Sequence, residues 1–332
     1  MTWRALGLSW LGVLACLAGL GVTLQILGPP TERGGVRTQA PATRAKVAMV
    51  RRTPGRDMPG PVAGPDAALL EPLAGEPNHF LPRIAPDGRT PMATYAAGFA
   101  AGTPGPRVGL ILAGVGLDHP ASEAAVHELP GGITLALSPY ARDLDPLLAA
   151  ARAAGHEYLV SIPMEPRGSG LDDAGDHELL TELPAEENAR RLDWALSRME
   201  GYVGATGALG RLLGERFAAE PELINPVLRA IAARGLFYVD PRIDAGALPA
   251  VWGRRVDVVV DDAEPASSID AQLAELSRIA RARGSALGLV GAVHPAMVER
   301  IAAWTRQLAA QGIALAPVSA LVEKPAPRET TR

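Results

Sequence analysis

The feature that most constrains this chain is a unit that recurs from residue 144 onward: a helical stretch, a glycine, then a short apolar run. Leu144–Ala154 stops at Gly155, Glu222–Arg234 at Gly235, Ser267–Arg283 at Gly284 and Ala296–Gln311 at Gly312. A glycine just past a helix supplies the left-handed turn that ends it. A repeated helix–glycine–strand order is what αβ units require, and it implies a parallel sheet. The apolar runs are Val108–Ala113, Ile133–Leu137, Tyr158–Ile162, Tyr202–Ala205, Leu236–Val239, Val256–Val260, Ala286–Val290 and Ile313–Ala316. Continuous apolar runs of this length suit strands covered on both faces. Their number fits a closed or nearly closed (β/α) barrel, with an open doubly wound sheet as the alternative. No G-x-G-x-x-G joins a strand to a helix, which disfavours a dinucleotide-binding sheet.

The first of these runs sets where chemistry is expected. Arg107–Asp118 reads RVGLILAGVGLD, apolar residues breaking into two glycines and then an acid. In parallel α/β folds the site lies beyond the carboxyl ends of the strands. The tip Ala113-Gly114-Val115-Gly116 therefore marks the expected mouth. Another helix, Pro184–Met199, opens with Pro near its first turn and carries Glu186 and Glu187 there, in keeping with the helix dipole.

The amino-terminal third differs in character. Residues 5–27 carry no charge and are long enough to cross a bilayer, longer than the apolar core of most cleaved signals. They read as an uncleaved signal-anchor (residues 1–28) in the inner membrane, with Cys16 an ordinary residue of the span. Residues 29–79 form a Pro/Gly-rich linker, its tether-like part running from Gly28 to about Glu76 without apolar periodicity. In residues 80–105 the anchors Phe80, Leu81, Ile84, Tyr95 and Phe99 mark a lead-in packed on the domain. The barrel occupies 106–324 and a tail 325–332. Arg33, Arg37, Arg44 and Lys46 follow the span, so charge counting alone would keep the domain in the cytoplasm. A net charge of −4 without a basic stripe argues against nucleic-acid binding, and one cysteine excludes an internal disulfide and a Cys-based metal site.

Several side chains are placed to do chemistry. Asp240-Pro241-Arg242 follows a strand directly, so the acid and the guanidinium reach the mouth, as catalytic groups or as a loop brace. Asp257, Asp261 and Asp262 flank Val258–Val260, and His294 precedes Pro295 at another strand exit. Asp172, Asp173, Asp176 and His177 crowd one loop, either a divalent-ion site or a solvated acidic turn. His119, His127 and His156 read as surface or cap residues.

From Arg107 to Val322 the chain resembles the divergent polysaccharide deacetylase family of bacterial envelope proteins. The carriers are Pro139-Tyr140-Ala141, Ala153-Ala154-Gly155-His156-Glu157, Pro163-Met164-Glu165-Pro166, Leu183-Pro184-Ala185-Glu186-Glu187-Asn188, Arg234-Gly235-Leu236-Phe237, Asp240-x-Arg242 and Pro317-Val318-Ser319-Ala320-Leu321. Leu81-Pro82-Arg83-Ile84 with Pro86-Asp87-Gly88-Arg89 resembles a segment of an alphaproteobacterial branch. The resemblance implies a deacetylase-type (β/α) barrel facing the periplasm, long translocated domains being free to override charge counts. It also implies hydrolysis of an amino-sugar N-acetyl group by water on a divalent metal such as zinc.

The expected ligand positions depart from that pattern. Where the family carries Ile-Asp-Asp, this chain has Leu112-Ala113-Gly114; Ser161 and Ala208 stand in place of histidines, and His294 lies two positions from the late histidine. Only Asp240 and Arg242 match. The expectation is a carbohydrate-related domain without its metal centre and without a cofactor, binding peptidoglycan, another envelope glycan or an envelope partner. In that reading Asp240, Arg242 and His294 form the mouth, with Glu165, Ser161 and Asp262 as ligand-binding groups. The alternatives are an active N-deacetylase with a relocated metal site and a membrane-tethered protein scaffold.

Overall fold

The protein is described by a computed structural model covering residues 58–168, 174–246, 248, 250–261, 266–291 and 293–325. The expected membrane segment, most of the linker, Asp172, Asp173, Asp262 and all of the tail after Pro325 lie outside the described residues. No helix among the described residues is long and apolar enough to cross a membrane.

The sheet is parallel throughout and curves into a half-barrel. Its strands are β3 (Arg107–Val115), β4 (Thr134–Leu137), β5 (Tyr158–Ser161), β6 (Gly204–Thr206), β7 (Phe237–Asp240), β8 (Gly253–Arg255), β9 (Val258–Val260) and β10 (Ser285–Val290). The hydrogen-bonded order is β8-β7-β6-β5-β4-β3-β10-β9, and β11 (Ala314–Leu315) pairs with the start of β3. This is an α/β fold consistent with a deacetylase-type barrel. The one expected strand Val256–Val260 is split, because its halves serve different neighbours. The Val256 N–H donates to the Asp240 carbonyl at 2.9 Å, and the next N–H, from Asp257, donates to the Leu287 carbonyl at 2.8 Å. Among the described residues the ladder is therefore unpaired between β8 and β9, which form a seam.

Alternation along the strands separates two cores, as the period of two demands. Ile111, Ala113, Ala136, Leu159, Phe237, Val239, Leu287 and Leu289 face inward and pack together. Leu110, Leu112, Leu135, Leu137, Tyr158, Val160, Tyr238 and Val290 face outward, under the helices. Those helices include α2 (His119–Glu128), α3 (Leu144–Ala154), α4 (Ala185–Leu196), the short α5 (Glu215–Ala218), α6 (Pro221–Ala233), α7 (Ala266–Arg283) and α8 (Pro295–Ala310). The helix-ending glycines behave as the repeat requires: Gly155 has φ +89° and its N–H bonds back to the Ala151 and Arg152 carbonyls. Helix α2 was not anticipated. Asp118 caps it, accepting the Ala121 N–H at 3.0 Å, and its small residues gave no apolar stripe to read.

The linker expectation needs correction where it overlaps the described residues. A 3-10 turn at Ala67–Leu69 leads into an antiparallel hairpin, β1 (Leu70–Leu73) with β2 (Glu76–Pro82). Its strands are too short and too broken by proline to show alternation in sequence. Of the expected lead-in anchors, Leu81 and Tyr95 are buried and Phe99 packs against the core, whereas Ile84 is 44% exposed. Helix α1 (Pro91–Thr94) is capped by Thr90, the Tyr95 hydroxyl accepts the Asp66 N–H at 3.0 Å, and Leu69, Tyr95 and Ala97 join the inward-facing core. The lead-in thus plugs the amino-terminal end of the half-barrel.

Candidate functional site

At the opposite end, the inward alternation carries Ala113, Ser161, Thr206 and Ala208 to the mouth, all fully buried. The β3–β4 register slips at Gly114, whose φ is +76°. Bulges of this kind turn a strand tip toward a site. Across from it the β6 loop makes a closed turn: the Leu209 N–H donates to the Leu212 carbonyl at 2.8 Å, and the Leu212 N–H donates back at 3.1 Å. The turn lies directly on the strand tips. A Cβ placed on Gly114 would sit 3.4 Å from the Gly210 Cα, and one on Gly291 would sit 3.3 Å from the Arg211 Cα. Backbone therefore closes over the place where the strand ends converge.

A divalent metal does not fit the donors gathered there. Zinc needs three or four N, O or S ligands. Ala113 and Ala208 offer methyl groups and Gly114 offers none. Ser161 offers one neutral hydroxyl, which is buried and makes no hydrogen bond in the described structure. Among the described residues no group of three or more His, Cys, Asp or Glu is placed to hold a metal ion.

Asp240 and Arg242 do come together. The Arg242 backbone N–H and Nε donate to Asp240 Oδ1, both at 3.0 Å, and Nη2 donates to Oδ2 at 2.7 Å. Asp240 is 1% exposed, and its carboxylate pushes the Arg242 guanidinium further up from its usual range, chiefly through this hydrogen bond. Both carboxylate oxygens are thus engaged by a cation two residues away. The pair braces the β7 loop.

The remaining predicted residues are occupied in similar ways. Glu165 pairs with Arg216 at 2.7 Å and accepts the Thr181 N–H at 2.8 Å, tying together the loops that follow β5 and β6. His294 caps α8, its Nδ1 accepting the Met297 N–H at 3.3 Å. Asp257 is held by Arg254 at 3.0 Å and by the Leu287 N–H at 2.9 Å. The Asp261 N–H donates to Gln272 Oε1 at 3.0 Å. His177 stacks on Trp194 with ring centres 3.8 Å apart, while its N–H donates to the Tyr140 hydroxyl. Desolvation lowers the His177 pKa.

One expectation is corrected in part. His156 is a cap residue, its N–H closing the end of α3 on the Ala151 carbonyl at 2.9 Å, but it is not on the surface: it is fully buried, with Nδ1 2.8 Å from the Ile133 carbonyl oxygen. Its neighbour Glu157, also fully buried, anchors the plugged end. Glu157 Oε1 accepts the Thr134 hydroxyl at 3.1 Å and the Ser319 N–H at 2.9 Å. Oε2 accepts the Ala97 N–H at 2.9 Å and the Ser319 hydroxyl at 2.5 Å. The sequence signal for this cluster was a His-Glu pair set immediately before an apolar strand.

The sequence model of the divergent polysaccharide deacetylase family matches residues 110–322. An uncharacterized protein of Haemophilus influenzae is 25% identical over 201 residues, covering 57% of this chain and 68% of its own length. The uncharacterized protein YibQ of Escherichia coli K12 is 25% identical over 217 residues, covering 62% of this chain and 65% of its own. The chain thus spans about two thirds of the length of these relatives. The crystal structure of the uncharacterized protein ATU2773 from Agrobacterium tumefaciens C58 is 33% identical, with a TM-score of 0.67, covering 73% of this chain and 99% of that one. The family model spans well over half of the chain, and this chain therefore belongs to the divergent polysaccharide deacetylase family.

Proposed function

We propose that this protein is a deacetylase-like domain of the cell envelope that binds a glycan or an envelope partner without hydrolysing it. The observation that carries the proposal is the mouth itself. The positions that would hold a metal carry Ala113, Gly114, Ser161 and Ala208, and the 209–212 turn brings its backbone against Gly114 and Gly291. A metal that activates water cannot be held by methyl groups and a single neutral hydroxyl. Asp240 and Arg242, the matching pair, satisfy each other instead of facing an open cleft.

The uncharged run at residues 5–27 supports attachment to the inner membrane, and the family resemblance supports a domain facing the periplasm. The binding claim is tested by co-sedimentation of the full-length protein with purified peptidoglycan. Saturable retention supports a glycan ligand, while no retention across a range of salt favours a scaffold whose contacts are with protein. A carboxyl-terminal reporter active only in the periplasm tests the orientation.

A further inference from the structure

The seam between β8 and β9 holds a second feature, separate from the mouth. A cavity of about 490 Å³ opens there, within the range of small-ligand sites. Four cationic side chains line it, Arg254, Arg255, Arg283 and Lys324, against two acidic ones, Asp257 and Glu323. In a chain of net charge −4 this is a local reversal of sign.

The cations are unequally engaged. Arg254 is committed to the fold: it donates to Asp257 at 3.0 Å and to the Ser285 hydroxyl at 2.9 Å, stitching the seam where no strand pairing exists. Asp257 is neutralised in turn, held by Arg254, by the Leu287 N–H at 2.9 Å and, more loosely, by Arg283 at 3.4 Å. Arg255 gives one N–H to the Ala245 carbonyl at 2.9 Å and makes no other hydrogen bond among the described residues. The Arg283 side chain is 64% exposed, and the Lys324 ammonium lies 5.9 Å from the centre of the Trp252 ring. An isolated bridge, Glu323 bonded through its backbone to Gly253 at 2.9 and 3.0 Å, fixes Lys324 at the rim. Three cations with donors to spare thus surround a space one or two sugar rings could fill, with Glu323 as the one acid not internally paired.

We infer that this seam cavity is an oxyanion site, taking a carboxylate- or phosphate-bearing ligand between Arg255, Arg283 and Lys324. Guanidinium groups match the two oxygens of such anions with paired N–H donors. The inference does not depend on the mouth being inactive.

The test is calorimetric titration of the full-length protein, in mild detergent at constant ionic strength, with sodium phosphate, sodium glucuronate and glucose. Saturable binding of phosphate or glucuronate, with none of glucose, is expected, and the preferred anion separates a phosphate ligand from a sugar acid. The double variant Arg283→Gln/Lys324→Gln should weaken binding by about tenfold or more, as loss of charge-assisted hydrogen bonds predicts. Glu323→Gln, which removes the opposing acid and touches no buried group, should tighten binding. Equal binding of glucose, no saturable binding of either anion, or tightening in the double variant would overturn the assignment.

Discussion

The Ser319 hydroxyl donates to Glu157 Oε2 at 2.5 Å, joining two residues 162 positions apart at the plugged end of the half-barrel. With the Ser319 N–H, the Thr134 hydroxyl and the Ala97 N–H, it gives a wholly buried carboxylate four donors. That one side chain therefore links β4, β5, the lead-in and the closing segment. Glu157→Gln keeps the shape but turns an NH₂ toward donors that need an acceptor. It should lower unfolding stability by about 1–3 kcal/mol, read by urea denaturation. Ser319→Ala should cost less, since the backbone N–H stays in place.

The same residue gives a pH dependence. Burial raises the Glu157 pKa above its ordinary 4.5, with the four hydrogen bonds opposing the shift. A carboxyl with a raised folded pKa holds its proton more tightly when folded. Its contribution is therefore fully present below about 4.5 and is lost as pH rises through the folded value. Unfolding midpoints of wild type relative to Glu157→Gln should fall as pH rises over that window; a difference that grows with pH would contradict the burial argument.

His156 works in the other direction. Burial lowers its pKa from 6.5, so the folded protein resists taking a proton that the unfolded chain accepts. Stability linked to His156 is present above about 6.5 and is lost as pH falls through the folded value. His156→Gln, which keeps a donor for the Ile133 carbonyl, should flatten this acid-side slope in thermal melts without affecting the slope attributed to Glu157.

Gly114 sits at φ +76° beneath the Gly210 backbone. Gly114→Ala forces an L-residue into the left-handed region and should destabilise by roughly 1–2 kcal/mol. By the same geometry, Gly114→Asp should not restore a metal ligand: the new carboxylate meets the turn before it meets a shared cavity. Metal titration of the Gly114→Asp protein, expected to match wild type, checks this.

Asp240→Ala leaves the Arg242 guanidinium without its carboxylate in a largely buried setting, and loss of a charged hydrogen-bond partner costs about 1–3 kcal/mol. The expected defect is in stability, measured by chemical denaturation. Asp240→Asn should be milder because it preserves an acceptor for the Arg242 backbone N–H.

The parallel sheet was legible in the sequence because helix, glycine and apolar run recur in a fixed order, and helix ends such as Gly155 fell where the sequence placed them. The hairpin at 70–82 was hidden because its strands are short, polar and broken by proline, and gain their place by packing on the domain. Val256 and Asp257 looked like part of one strand because only tertiary pairing reveals that consecutive N–H groups bond to different neighbours. At the mouth, the absence of carboxylates and imidazoles at Ala113, Gly114, Ser161 and Ala208 could be read directly from residue identity. The roles of Asp240, Glu165 and His294 could not, because a carboxylate at a strand exit looks the same in sequence whether it faces a ligand or a nearby arginine. The burial of His156 and Glu157 was not legible for a related reason: it depends on partners such as Ser319, far along the chain.

The central claim, that the inherited metal-dependent hydrolysis is gone, is tested most directly by acetate release. Full-length protein, after extensive dialysis and again after addition of zinc, is incubated with an N-acetylated glycan while bound metal is quantified. The account predicts substoichiometric metal and acetate release no greater than in the absence of protein. One divalent ion per chain, with acetate release that Asp240→Ala abolishes without unfolding the protein, would contradict it.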